Sequence, residues 1–160
     1  MIALHCDGSL TADRATYGGF IRDDTGAAIL AYAGKGDDDS ILGMELLAIL
    51  RGVTLCLQHD FRRASIRSDS KLAVDILNGT ICCPWSMHVL KRRISSLLEQ
   101  LQRKEIRHVW SEVNQPADFI AAFDAGDGES ILLPSDFPPE LVEMIRDDAD
   151  RKTYFRPPCQ

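Results

Sequence analysis

The start of the chain alternates apolar and polar residues with the two-residue period of β-strands. In residues 2–8 the apolar side chains occupy mainly one face, and Asp7 lies on the opposite face of the predicted strand. Residues 17–23 and 27–33 are two further predicted strands. The segment 23–26 between them, Asp-Asp-Thr-Gly, is typical of a hairpin turn because its glycine tolerates positive φ. The chain therefore begins with a predicted antiparallel meander.

After the meander, apolar residues recur at the spacing of amphipathic helices. The longest such segment is residues 40–58, and Ser40 is suited to cap its N-terminus. A shorter helix ends at Asn78-Gly79, a sequence typical of helix C-termini. The predicted helices cover residues 40–58, 71–77, a stretch after Pro84 that runs to Leu101, and 114–123 with Asn114 as its cap, and the strands between them cover residues 64–68 and 106–110.

The resulting element order, βββαβααβα, predicts an α/β fold. A meander followed by alternating helices and strands implies a mixed five-stranded sheet with helices on both faces. We assign this domain to residues 1–125. Residues 126–160 are predicted to be an acidic C-terminal extension outside the core of the domain, with a short helix over 140–150.

The composition is that of a globular protein, with 45% hydrophobic and 26% charged residues in a chain of 160. No apolar run approaches the roughly 18–20 residues that span a bilayer, so we expect no membrane partner. The cysteines are odd in number and scattered, which favours thiols in a reducing, intracellular compartment, nucleus or cytoplasm. Nothing indicates an obligate oligomer, and we expect a monomer. The cysteines are Cys6, Cys56, Cys82, Cys83 and Cys159.

The net charge of −6 is unevenly distributed along the chain. Residues 1–45 carry a charge of −5, residues 46–110 carry +6, and residues 111–160 carry −7. The basic residues of the middle section could bind phosphate groups. They are explained equally well as the solvent-exposed face of a helix. The overall acidity therefore does not exclude a nucleic-acid partner.

Four carboxylates occupy positions that a structural role explains poorly. Asp7 lies on a strand that should be central, Glu45 interrupts the apolar stripe of its helix, Asp69 follows a strand, and Asp118 shares a helix face with small residues. Taken singly, each also has a structural explanation. Asp7 could belong to a turn, Asp69 could cap a helix, Asp118 could be an acid in the first turn of a helix, and Glu45 could belong to a buried ion pair. Buried charges are costly unless they are paired or bind a cation, and such oxygen ligands suit Mg²⁺ or Mn²⁺ rather than zinc.

These carboxylates stand in four sequence blocks. The blocks are His5-Cys6-Asp7-Gly8-Ser9, Gly43-Met44-Glu45-Leu46-Leu47-Ala48, Arg67-Ser68-Asp69-Ser70-Lys71 and Asn114-Gln115-Pro116-Ala117-Asp118. In this order and on these elements, they resemble the ribonuclease H superfamily, most closely its reverse-transcriptase-like branch in plant retroelements. The resemblance covers about residues 2–124 and agrees with the predicted order of strands and helices.

The resemblance implies a two-metal endonuclease that hydrolyses the RNA strand of an RNA/DNA hybrid with Mg²⁺, or Mn²⁺, as cofactor. By similarity, all four carboxylates are catalytic metal ligands. Asp7 would bridge two ions, Glu45 and Asp69 would hold one of them, and Asp118 the other.

The resemblance also suggests partners. The hybrid would be recognised through its shape and phosphates, with little preference for base sequence. The candidate substrate contacts are Gly8, Ser9, Ser70 and Lys71. The chain opens directly on strand-like sequence, and we expect it to belong to a longer parent polypeptide.

The sequence also departs from its relatives. Bacterial members carry a loop histidine just before the last metal ligand, whereas residues 110–118 contain none. Plant relatives often read Arg-Glu-x-Asn where this chain has Ser111-Glu112-Val113-Asn114, and residues 78–85 leave no room for an extra basic helix. An alternative is therefore a catalytically weak or inactive module of the same fold that binds nucleic acid or protein. A third reading, another nuclease of the superfamily such as an exonuclease, fits the blocks less well.

Overall fold

A computed structural model of the chain describes residues 1–37, 39–123, 126 and 128–150, without the side chains of residues 148–150. Cys159 lies outside these residues, and the other four cysteines are free thiols. The strands are β1 (Ile2–Leu10), β2 (Ala15–Arg22), β3 (Ala28–Gly36), β4 (Arg63–Ser68), β5 (Arg103–His108) and β6 (Ser130–Leu132). The helices are α1 (Ile41–Gln58), α2 (Lys71–Asn78), α3 (His88–Leu98), α4 (Gln115–Ala121) and α5 (Pro139–Asp150).

The strands form one mixed sheet in the order β5-β4-β1-β2-β3-β6. β1 pairs antiparallel with β2 and parallel with β4, so it lies at the centre of the sheet. The predicted α/β class and mixed sheet are confirmed. The predicted count of five strands is wrong, because β6 adds a sixth strand antiparallel to β3. With three residues, β6 is too short for alternation to reveal it.

The helices cover both faces of the sheet. On one face, α1, α2 and α3 enclose the larger apolar core, which includes Leu4, Ile21, Ile49 and Ile66. On the other face, α4 packs against β1, β2 and β3, and α5 packs against α4. The smaller core of this second face consists of Phe20, Ala31, Ala33, Ala117, Ile120, Leu141 and Ile145.

Helix α1 is the one described segment that is long and apolar enough, by length and composition, to cross a membrane, although Glu45 and Arg51 interrupt its apolar run. Most of it is buried against the sheet, as is usual for the core helix of a globular fold. Its predicted cap is confirmed, since the Ser40 side chain accepts a hydrogen bond of 3.0 Å from the N–H of Gly43. The helix is therefore accounted for by packing within this fold.

The C-terminal segment is joined to the sheet by side chains as well as by β6. Leu141 and Ile145 of α5 are buried. Glu129 accepts hydrogen bonds from the Tyr17 hydroxyl at 2.6 Å and from Arg51 Nε at 2.7 Å. Burial by itself would raise the pKa of Glu129, but the hydrogen bonds from Arg51 and Tyr17 outweigh it and hold the pKa below the usual range. The predicted domain boundary at residue 125 stays a prediction, with the segments on either side sharing one sheet.

Replacing Leu141 tests how much α5 contributes to folding. Leu141→Ala should lower the free energy of unfolding by about 2–5 kcal/mol, because Leu141 is 1% exposed and its removal leaves a cavity against α4. Val142→Ala is the control, since Val142 is 37% exposed and should cost much less. Urea denaturation measures both variants. Equal effects would contradict a packing role for α5.

Candidate metal centre

The register of the two central parallel strands brings Asp7 next to Asp69. Cys6 of β1 is paired with Ser68 of β4. Asp7 directly follows Cys6, and Asp69 directly follows Ser68. Strands in a sheet lie about 4.8 Å apart, so neighbouring positions place their side chains close together. Asp7 and Asp69 therefore begin the site at the end of β4.

Glu45 reaches this point because α1 lies directly on a glycine of β1. A Cβ atom added at Gly8 would lie 2.6 Å from the backbone nitrogen of Glu45, so only glycine allows this approach. The Gly8 N–H donates to Asp7 Oδ1 at 3.0 Å and to Glu45 Oε2 at 3.1 Å. Gly8 thus holds two of the carboxylates in place.

The three carboxylates form a compact acidic cluster. Asp7, Glu45 and Asp69 each offer an oxygen, and these oxygens all lie within 4.8 Å of one another. Asp7 and Glu45 are buried, and Asp69 is half-buried. Burial, followed by repulsion from Glu45 and Asp69, raises the pKa of Asp7 well above its usual range. Burial also raises the pKa of Glu45, against hydrogen bonds to Asp7 and Gly8.

Asp118 approaches from the opposite face of the sheet on α4. It lies outside the set of three, but it is close enough to Asp7 to contribute to the raised pKa of that carboxyl. A second glycine makes this possible: a Cβ atom at Gly18, which is paired with Asp7, would lie 2.7 Å from the backbone nitrogen of Ala121. Two helices, one on each face, thus meet the sheet at glycines beside Asp7.

Asn114 has a role that the sequence did not reveal. It occupies the N-cap position of α4 as predicted, but its side chain makes no capping hydrogen bond. Its amide instead donates to the backbone oxygen of Cys6 at 2.9 Å, and its Oδ1 lies 3.3 Å from His5 Nδ1. Because the Asp118 N–H bonds to the Asn114 carbonyl oxygen at 3.0 Å, Asn114 ties the first turn of α4 to β1.

His5, beneath the site, is neutral. It is fully buried and stacks on Phe20 with ring centroids 4.8 Å apart. Burial, followed by the positive charges of Arg22 and Arg67, holds the pKa of His5 well below its usual range. The site therefore gains no compensating positive charge from this side chain.

The predicted substrate contacts lie around the cluster. Ser70 caps α2 by accepting a hydrogen bond of 3.2 Å from the Ala73 N–H, and Lys71 Nζ lies 3.2 Å from Asp75 on the surface. Ser9 is half-buried on β1, next to Gly8. Contacts of these residues with a substrate stay a prediction.

The donor set fits a hard divalent cation. All its ligand atoms are carboxylate oxygens, which suit Mg²⁺ or Mn²⁺. Like charges buried this closely repel one another unless protons or a cation neutralise them. The cluster of Asp7, Glu45 and Asp69, with Asp118 beside it, is therefore a candidate metal centre.

The fold is shared with ribonucleases H of known structure. RNase H1 of Halobacterium salinarum matches with a TM-score of 0.72 and 20% identity, over 75% of this chain and 93% of that one. The N-terminal RNase H domain of a Mycobacterium tuberculosis protein matches with a TM-score of 0.71 and 18% identity, over 75% and 89%. LC11-RNase H1, isolated from compost and solved in complex with an RNA/DNA hybrid, matches with a TM-score of 0.69 and 19% identity, over 75% and 93%.

This chain thus has an RNase H-like fold. A sequence model of the family described as reverse transcriptase-like matches residues 5–123, and the chain belongs to that family. The match spans β1 to α4 and includes all four carboxylates. Among curated proteins, none matches the chain in sequence.

Removing one buried carboxylate should stabilise the metal-free protein. In chelator, Asp7→Asn should raise the free energy of unfolding by about 1 kcal/mol or more, the equivalent of one pKa unit. The difference should grow as pH rises above the ordinary carboxyl range, because the folded wild type retains a proton on Asp7 that the unfolded chain has released.

Thermal unfolding at several pH values, with chelator or Mg²⁺, measures both effects. Mg²⁺ should raise the Tm of the wild type more than that of the variant. Asp13→Asn, at an exposed loop position, should show neither change. A metal-free Asp7→Asn protein less stable than the wild type would contradict repulsion within the cluster.

The close approach of α4 to β2 predicts a specific effect of a single methyl group. Gly18→Ala should displace α4 and Asp118, since the new Cβ atom would clash with the backbone of Ala121. We expect a weaker Mg²⁺-dependent rise in Tm together with a loss of stability of about 1–3 kcal/mol. Gly128→Ala is the matched control, because its Cβ atom would meet nothing within 4 Å. Indistinguishable variants would rule out this contact as the constraint on α4.

Proposed function

We propose that this chain is a Mg²⁺-dependent endonuclease that hydrolyses the RNA strand of RNA/DNA hybrids. The observation that carries the proposal is the acidic cluster, in which oxygens of Asp7, Glu45 and Asp69 lie within 4.8 Å of one another. A buried group of like charges costs stability, and it is explained if the cluster serves to bind cations that act on a phosphodiester.

The arrangement suits two cation sites that share Asp7. Asp7, Glu45 and Asp69 would hold one ion, and Asp7 with Asp118 would hold the other, since Asp118 lies outside the set of three but near Asp7. When bound, such ions activate water and neutralise the charge on the phosphate and the leaving oxygen. Asp7 is the residue whose loss should affect both sites.

The protein contributes position and burial. Gly8 fixes the carboxylates of Asp7 and Glu45 through its N–H, and Asn114 fixes the start of α4. Asp69 and Asp118 are more exposed than Asp7, so the site opens to solvent on their side. A phosphodiester and a water molecule would enter from that side, with the carboxylates already in place.

Two comparisons support the choice of substrate. The chain belongs to the reverse transcriptase-like family. A structural neighbour, LC11-RNase H1, is bound to an RNA/DNA hybrid in its solved structure. We propose the same substrate class for this chain.

The second candidate is a module of the same fold that binds without cleaving. The observation that favours it is the absence of histidine from residues 110–118, just before Asp118. His108 is the nearest histidine before Asp118, and it makes an edge contact with Trp110, with ring centroids 5.6 Å apart. The intact acidic cluster favours the enzyme.

A cleavage assay separates the two candidates. Labelled RNA/DNA hybrid, RNA duplex, single-stranded RNA and single-stranded DNA are each incubated with the chain in Mg²⁺, Mn²⁺ or chelator. We expect cleavage of the RNA strand of the hybrid, dependent on the cation. Asp7→Asn and Glu45→Gln should each lower the rate by about 100-fold or more, the scale associated with losing one group that stabilises transition-state charge.

The control for this assay is Glu99→Gln, which removes an exposed carboxylate at the C-terminal end of α3 and should leave cleavage unchanged. Binding of the hybrid without cleavage at any Mg²⁺ or Mn²⁺ concentration would favour the binding module. Equal cleavage of all four substrates would point to a nuclease of different specificity.

A further inference from the structure

One half of the sheet has a face that the described helices leave open. Helix α4 packs mainly on β1, β2 and β3, and α5 packs on α4. α2 contacts β4 and β5 and belongs, with α1 and α3, to the core on the other face. In the part of the chain that the structure describes, the exposed side chains on the α4 side of β4 and β5 are Arg63, Arg103 and Arg107, whereas Ser65 is buried.

That surface is rich in arginine. Side chains alternate along a strand, so every second residue of β4 and β5 lies on this face. The parallel register pairs Arg63 with Arg103 and Arg67 with Arg107. The residues of the two strands on this face, hereafter the arginine face, are Arg63, Ser65, Arg67, Arg103, Glu105 and Arg107.

Pairing like charges across strands is unfavourable, and it happens twice here. Side chains directly opposite each other on neighbouring strands interact, and like charges at such positions destabilise the sheet. Glu105 is the one acid among the six, and its carboxylate lies 3.8 Å from Arg107 in an exposed pair of little energetic value. The exposed guanidinium groups of Arg63 and Arg103 thus bring positive charge to this face in a protein whose net charge is −6.

Protection of the sheet edge does not account for the pattern. Charged residues on an edge strand discourage pairing with other chains, which explains arginines on β5. Arg63 and Arg67 belong to β4, an inner strand between β5 and β1. The exposed charge of Arg63 on this inner strand needs a different reason, and Arg63 with Arg103 is positioned to meet a polyanion.

The arginine face leads directly to the acidic cluster. Arg67 is two residues before Asp69, and it is paired with Arg107. His5 of β1 pairs with Arg67, so Asp7, two residues later, lies on the same side of the sheet. At about 3.3 Å per residue, the Arg63–Arg103 pair lies roughly 13 Å beyond Arg67 and roughly 20 Å from Asp69, a span of about six nucleotide steps from the cluster.

We propose that the arginine face binds the phosphate backbone of nucleic acid that extends away from the acidic cluster. Guanidinium groups match phosphate oxygens, and the two pairs follow one line from the cluster. None of the six residues is aromatic, which favours contact with the backbone over stacking on bases. The identity of the nucleic acid as an RNA/DNA hybrid rests on the proposed function.

Salt-dependent binding tests the proposal. The probes are a fluorescent hybrid that extends about 12 base pairs beyond the site and one that ends about 3 base pairs beyond it, since the far arginine pair lies roughly six steps from Asp69. All proteins carry Asp7→Asn to prevent cleavage, and anisotropy at constant Mg²⁺ measures affinity over a range of salt. The test variant is Arg63→Gln with Arg103→Gln.

For the long hybrid, the test variant should reduce the salt slope, log K against log salt, by about 1.4–1.8, the value for two lost phosphate contacts. The short hybrid should bind unchanged. Lys35→Gln with Arg146→Gln, at exposed positions on β3 and α5, removes the same charge and should leave both slopes as they are. Arg63→Lys with Arg103→Lys keeps the charge and should retain the slope.

Several results would overturn the proposal: no binding of the long hybrid, equal slopes for test and control variants, or equal losses with both hybrids. Competition by polyglutamate as strong as that by the hybrid would assign the face to an acidic protein and also overturn it. Failure of the proposed function is distinguishable, because the arginine effect would then appear in a chain whose wild type cleaves no hybrid. Cleavage of the hybrid without the arginine effect would support the proposed function and contradict phosphate binding by the arginine face.

Discussion

The site depends on the contact of two helix backbones with one pair of strands. α1 rests on Gly8 of β1 and α4 rests on Gly18 of β2, at distances that no other residue would allow. Because Gly18 is paired with Asp7, the two helices converge on the same point from opposite faces of the sheet. Close packing of this kind has two consequences, a rigid position for the carboxylates and a high cost for their charge.

The surroundings of the cluster show how that cost is managed. Gly8 donates its N–H to both buried carboxylates, Asn114 ties α4 to β1, and His5 stays neutral below. These contacts position the acids without neutralising them, which leaves the neutralisation to protons or a cation. The second face is completed by the C-terminal segment, whose Leu141 packs against α4, the helix that carries Asp118.

Much of the fold was readable from periodicity. The meander, the capped helix α1 and the Asn78-Gly79 end of α2 were predicted because long periodic segments and glycine stops are local signals, and Gly79 has a φ of 76°. β5 was predicted over residues 106–110 but spans Arg103–His108, since charged residues at its start mask the alternation of an edge strand. Periodicity did not predict β6, the sixth strand of the sheet.

The sequence alone singled out four carboxylates as candidate metal ligands, because Glu45 interrupts an apolar stripe and all four stand in ordered blocks. Only the tertiary structure decided how they meet: Asp7, Glu45 and Asp69 share one cluster, and Asp118 lies beside it on α4. The same holds for the pairing of Arg63 with Arg103, residues forty positions apart in the chain. Periodicity shows only which face of a single strand or helix is apolar. Distances between elements depend on strand register and on close helix packing at glycines, and both are known only once the chain is folded.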